Sequence, residues 1–190
     1  MKRFDHFGFL APFYDKFFKG DRNDQLVRLL DLSPGVTVLD AAGGTGRVSY
    51  GLEYKSGRLI VADISFPMLK QAKSKPGLLP VNSPLEVLPF KKESFDTIIL
   101  VDAFHHLVNT QVVLVELWRV LKAGGKLVVE EPDIEKFSIK LVALGEKLLL
   151  MKSHFYNSSE ISDMFKKISY GVQVYKKDIR IWVVARKNKK

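Results

Sequence analysis

Two aspartates bracket a cluster of glycines. In VLDAAGGTG, Asp40 closes an apolar run and is followed by two alanines and then Gly43, Gly44 and Gly46; Asp63 closes the next apolar run, RLIVAD. Glycines this dense let a backbone turn sharply and approach a ligand closely. The segment Gly44-x-Gly46-x-x-Ser49 resembles a dinucleotide pattern, a weak signal on its own. Asp40 argues against a pyrophosphate, because a carboxylate at the mouth of the turn repels one and welcomes a cation. Asp63, closing a strand, is placed to accept hydrogen bonds from a ribose diol. The chemistry these residues point to is the holding of a positively charged nucleoside.

The elements that must position them alternate. VTVLD, RLIVADI, LLPV, FDTIILVD and KLVVEE read as buried strands. Arg47 to Tyr54, Pro67 to Ser74 and Thr110 to Lys122 read as helices between them, the last ended by Gly124-Gly125. Strands alternating with helices give a parallel sheet covered on both faces. The end of the chain differs. Asn157-Ser158-Ser159-Glu160 opens a helix through Lys167 as a capping box. VQVYK and IRIWVVAR then follow too closely for an intervening helix, so they form an antiparallel hairpin at one edge. The expected fold is α/β: a Rossmann-like, seven-stranded, mostly parallel sheet with a C-terminal antiparallel hairpin and helices on both faces. Residues 1–32 read as an N-terminal helical cap and 133–157 as a short lid, within one domain spanning 1–190.

Composition bounds the rest. A chain of 190 residues, 46% of them hydrophobic, supports one domain with a full core. The absence of cysteine removes disulfides, thiolate metal sites and a cysteine nucleophile, and no His/Asp/Glu spacing suggests a metal. No secretory signal and no apolar run long enough to span a bilayer stand out, so a cytoplasmic protein is expected. The net charge of +9 is scattered, with no aromatic-interleaved basic patch, so nucleic acid is not the expected partner.

Four ordered segments carry a family resemblance: VLDAAGGTG, VADIS followed by FPML, LPFKKESFDTI, and ELWRVLKAGGKLVV. Together they resemble a class I S-adenosylmethionine-dependent methyltransferase, in the broad group related to the ubiquinone and menaquinone C-methyltransferases. Ala42 in AGGTG and the early FLAPFYD are like the quinone branch; Arg47 and DAFHHLVN depart from it. S-adenosylmethionine carries a sulfonium, an ammonium and a ribose but no phosphate, which suits Asp40. The resemblance implies that Asp40 orients the methionine end, that Ala41, Ala42, Gly43, Gly44 and Gly46 line it, and that Asp63 binds the ribose. Ile64 and Met68 would pack near the adenine and Leu85 would offer its backbone. Asp102 and Ala103 would lie under the methionine moiety, and S-adenosylhomocysteine would be the product. Pro84 stands where relatives carry an acid or amide facing the adenine amino group, with Asn82 as a substitute if the loop shifts.

Methyl transfer mainly requires the acceptor to be held in line and water excluded. His105 and His106, just past the fourth long strand, are the candidate bases. Tyr14 and Phe18, on the N-terminal helix, are candidates for closing over the site. Glu130 and Glu131 are read as facing one side of the sheet, with Glu131 a candidate substrate contact. Phe137, Leu141, Leu144 and Leu148 make one helical face, expected to pack on the sheet or to lid the pocket. So short a lid leaves an open pocket or one completed by a second copy in a homodimer. The expected acceptor is a small molecule. The alternatives are an RNA or protein methyltransferase, against which the absence of an N/D-P-P-[FYW] signature counts for nucleobases, and a non-catalytic S-adenosylmethionine-binding protein.

Overall fold

The computed structural model describes residues 6–17, 24–52, 55–148, 153–169 and 171–189. Two helices open the chain, α1 (His6–Phe17) and α2 (Asp24–Leu30). The alternating part is β1 (Thr37–Ala41), β2 (Arg58–Asp63), α3 (Phe66–Lys73), β3 (Leu78–Asn82), β4 (Phe95–Val101), α4 (Thr110–Val120) and β5 (Leu121–Pro132). It closes with α5 (Phe137–Leu148), α6 (Ser158–Lys166), β6 (Gly171–Lys177) and β7 (Arg180–Arg186).

These strands form one sheet in the order β3-β2-β1-β4-β5-β7-β6. The first five strands are parallel neighbours, and β7 runs antiparallel between β5 and β6, as the closeness of the last two apolar runs requires. The chain reverses between β1 and β4, so the carboxyl ends of β1 and β4 flank the crevice where ligands bind in open sheets of this kind.

Because successive side chains on a strand point to opposite faces, the sheet builds two apolar layers. On one face Leu39, Ile98, Leu100, Leu127 and Val129 meet Leu114 and Leu117 of α4 and Phe165 of α6. On the other Val38, Leu59, Val61, Ile99 and Val128 meet Leu26 and Leu30 of α2 and Leu69 of α3. The capping box at Asn157 is present in full: its side chain accepts from the Glu160 amide, and Glu160 accepts from the Asn157 amide.

Four local expectations are corrected. Arg47 to Tyr54 is not an α-helix: among the described residues only a 3-10 turn, Ser49–Gly51, follows the glycine loop. The helix from Thr110 ends at Val120, and β5 begins at Leu121, so Gly124 (φ 79°) lies inside an irregular start to that strand rather than just beyond the helix. Glu130 and Glu131 cannot share a side, being neighbours on one strand. Glu130 turns toward Trp182, whose Nε1 donates to it at 2.7 Å, while Glu131 turns toward His105 on the α4/α6 side. Finally, the Phe137, Leu141 and Leu144 face of α5 does not pack on the sheet. These side chains are 76%, 54% and 54% exposed, and the Leu148 side chain lies outside the described residues.

Candidate active site

The glycine loop takes its shape from Asp40. The Asp40 side chain is buried at the end of β1, and a Cβ on Gly43 would stand 2.4 Å from its Cγ, so residue 43 must be glycine for the loop to fold over the carboxylate. The turn also forces Ala42 (φ 54°) and Gly44 (φ 55°) into the left-handed region, which is strained for alanine. Asp63 fixes the far side: its Oδ2 accepts from the Gly44 amide at 2.9 Å and its Oδ1 from the Ser65 amide at 2.7 Å. One acid therefore lies beneath the loop and the other ties the loop to the start of α3.

Burial pushes the Asp40 pKa up to about 7, further raised by the nearby Asp63 charge and opposed by the Ser49 hydroxyl, which donates to Asp40 at 2.6 Å, and by the Arg47 charge. A carboxylate so deprived of water is stabilised by any cation that comes near it.

Above the loop lies a cleft of about 270 Å³. Asp40, Ala42, Gly43 and Gly44 line its base, and Asp63, Ile64 and Met68 its β2–α3 side. Leu85, with Pro84 and Glu86, lines the loop after β3; Asp102, Ala103 and His106 line the end of β4. Tyr14 of α1 closes over it, its hydroxyl pKa raised by burial. The helix is pinned there by Asp15, which accepts from the Thr45 hydroxyl and from Lys75, both at 2.6 Å; Lys75 also donates to the Thr45 carbonyl.

Ala41, Gly46, His105 and Glu131 do not line this cleft, and Phe18 lies outside the described residues. Ala41 is a buried strand residue. Gly46 (φ 69°) turns away beneath the loop, where a Cβ would meet Leu78. Asn82 does not reach the site either: its amide donates to the Asp63 and Ile64 carbonyls, closing the ends of β2 and β3. Glu131 is buried, and its Oε1 accepts from the Ala103 and Phe104 amides at 2.9 and 2.8 Å while Oε2 bonds the His105 Nδ1. That carboxylate holds the turn after β4 instead of facing a substrate. The His105 ring lies between Phe155 and His106, with centroids 4.3 and 4.0 Å away. His106 is therefore the one of the pair that reaches the cleft. Its Nδ1 pairs with the Ser153 hydroxyl at 3.1 Å, and burial, reinforced by His105, lowers its pKa to about 3.

Arg180 is a residue that sequence reasoning missed. It reaches Asp102 at 2.6 Å and Glu130 at 3.0 Å, and Arg47 approaches the other oxygen of Asp102 at 3.4 Å. Asp102 itself sits at φ 52°, a strained conformation that this bracket of guanidinium groups holds in place. Arg47, Val48, Val101 and Asp102 form a wall shared with a second cleft of about 440 Å³, which opens between α2 and the β6–β7 turn. No signal in the sequence announces Arg180, which lies 78 positions from its partner.

Comparison with known proteins agrees with this geometry. Residues 39–129 match the methyltransferase domain family. The ubiquinone/menaquinone biosynthesis C-methyltransferase UbiE of Rhizobium etli is 37% identical over 108 residues, covering 52% of this chain and 42% of that protein. The chain spans about half the length of the curated relatives it matches. Among solved structures, the putative methyltransferase in complex with the Trm112 methyltransferase activator of Haloferax volcanii aligns with a TM-score of 0.82 at 18% identity, covering 98% of this chain and 100% of that one. A methyltransferase of Thermotoga maritima, described as S-adenosylmethionine-dependent and a possible histamine N-methyltransferase, aligns at 0.79 with 23% identity, covering 96% and 98%. These likenesses extend the fold agreement over nearly the whole chain. The matched core is thus that of a methyltransferase domain, similar in sequence to the ubiquinone/menaquinone C-methyltransferases, and the fold over nearly the whole chain is that of S-adenosylmethionine-dependent methyltransferases.

Proposed function

We propose that the protein transfers the methyl group of S-adenosylmethionine to a small-molecule acceptor held at the ends of β4 and β5. The observation that carries this reading is the buried Asp40 carboxylate beneath a glycine loop, in a cleft whose opposite wall ends in a second acid, Asp63. The residues fit the cofactor. Asp40 gains most from a positive charge, and a carboxylate has about four acceptor positions, so Asp63 can serve a diol while holding its two backbone amides. Ile64, Met68, Pro84 and Leu85 offer an apolar slot for a purine, with Glu86 the acid beside the position that Pro84 vacates.

The bound cofactor supplies an electrophilic methyl group. The chain supplies position and dryness: Tyr14 and the Asp15-pinned helix cover the cleft, and Glu131 fixes the turn that carries His106. A pKa lowered to about 3 leaves the His106 imidazole neutral near pH 7 and a weak base, which suits it to orienting an acceptor by hydrogen bonding more than to taking its proton. The UbiE relatives favour a small acceptor over a macromolecule. The test is calorimetric titration with S-adenosylmethionine and, separately, NAD, followed by transfer of labelled methyl to panels of small molecules, RNA and protein. Cofactor binding with label in a small molecule supports the reading. Label entering only RNA or protein, or binding of NAD alone, overturns it.

A further inference from the structure

The exposed stripe on α5 is not an isolated apolar face. Phe137, Leu141 and Leu144 recur at helical spacing, and Ile139, between them, is buried, at 6% exposure. The start of α5 is tied to the β6–β7 hairpin: the Asp133 amide donates to the Ile179 carbonyl at 2.8 Å, and Lys176 pairs with Glu135. Ile179, at the hairpin tip, is itself 47% exposed. Lys136 and Lys140 lie one residue before Phe137 and Leu141, so a basic row runs beside the apolar stripe, and Lys176, paired with Glu135, extends it onto the hairpin. Lys176, Lys136 and Lys140 all act on the Glu135 carboxylate, holding its pKa low, so these three lysines share one small region with Glu135, and Asp178 is the exposed acid at the hairpin tip.

We propose that this face, formed by α5 and the β6–β7 hairpin tip, docks on an anionic lipid surface, with Phe137, Leu141, Leu144 and Ile179 entering the acyl boundary and the lysines meeting headgroups. Charge complementarity selects this occupant. The row is basic, the whole chain carries +9, and a second copy would bring the same lysines against it. Apolar residues on one face of a helix with lysines at its border are the composition of an interfacial element. The hairpin residues Lys177, Ile179 and Arg180 also line the second cleft, so the docked face and that opening share one element.

The experiment is flotation of the full chain with phosphatidylcholine vesicles, with and without phosphatidylglycerol, at low and high salt. Binding that requires phosphatidylglycerol and falls with salt is expected. Each of Lys136→Gln and Lys140→Gln should weaken it by about five-fold, since a basic residue near such a surface contributes about 1 kcal/mol. Phe137→Asp with Leu141→Asp should abolish it while leaving the far-ultraviolet circular dichroism unchanged. Equal binding to neutral vesicles, no binding, or binding indifferent to these substitutions overturns the proposal. So does a dimer in light scattering that the Phe137→Asp, Leu141→Asp variant dissociates, because the face would then belong to a second copy.

Discussion

Replacing Asp40 with asparagine should stabilise the cofactor-free protein above neutral pH and leave it nearly unchanged near pH 4. The folded-state pKa is about 7 against 3.8 for the free side chain. Between those values the folded protein holds a proton that the unfolded chain has released. The group's contribution is therefore fully present below the unfolded pKa and is lost as pH rises through about 7. A shift of about 3 units at about 1.4 kcal/mol each sets a ceiling of roughly 4 kcal/mol on the cost of ionising Asp40 in the fold. The amide of the Asp40→Asn variant avoids that cost and still accepts from the Ser49 hydroxyl. Urea unfolding of both proteins from about pH 4 to pH 8 isolates this group, because the other titrations cancel in the difference. The expected curve diverges through that window and flattens above it. Cofactor affinity should show the opposite pH trend. A cation favours ionised Asp40, so binding to the native protein should strengthen with pH up to about 7, and the asparagine variant should lose that dependence. A stability difference that does not change with pH, or an asparagine variant less stable at pH 8, would refute the reasoning.

Asp63→Ala removes the acceptor of the Gly44 and Ser65 amides; with hydrogen bonds to a charged group worth about 1.5–3 kcal/mol each, calorimetric affinity for S-adenosylmethionine should fall by about a hundred-fold or more. Glu131→Leu leaves the Ala103 and Phe104 amides and His105 without their carboxylate, and should cost about 3–5 kcal/mol in urea unfolding. Asp15→Ala should cost only about 1 kcal/mol of stability because the Lys75 pair is partly exposed, yet should speed proteolysis within α1 and raise the cofactor off-rate, as stopped-flow fluorescence would report.

What was legible in the chain follows from how local each signal is. The alternation of strands with helices and the edge hairpin were readable because buried parallel strands are apolar runs and two of them lay too close together for a helix. Asp40 and Asp63 were readable because each sits where such a run stops. The 3-10 turn at Ser49–Gly51 was not readable: an apolar-periodic stretch there is overridden by the buried Ser49–Asp40 bond, a contact between residues nine apart that competes with helix geometry. His105 and His106 illustrate the same limit. As a pair they look equivalent, and it takes Glu131, on a strand 26 residues away, to clamp one while the other lines the cleft.

The polar network around the cleft is almost wholly long-range, and this is a physical requirement. A ligand site at the carboxyl ends of several strands can be fixed only by groups arriving from different elements. Asp15 reads in the sequence as an interruption of an apolar stretch, yet it joins α1 to the glycine loop and to Lys75 across 60 positions. Asp102 ends a strand, but its strained backbone is held by Arg47 and Arg180, 55 and 78 positions away. Each of these acids meets two donors from separate elements. Loss of one donor therefore leaves the other bond in place, and the cleft wall should loosen by degrees rather than collapse. Arg180→Lys tests that directly. A lysine keeps the charge but puts it on a shorter, flexible stem, without the rigid guanidinium plane that holds Arg180 Nη1 between Asp102 and Glu130. It should preserve folding while loosening the wall between the two clefts, seen as a higher KM for the acceptor with cofactor affinity unchanged; a loss of cofactor affinity with the KM for the acceptor unchanged would mean that Arg180 acts, through Asp102, on the cofactor cleft instead.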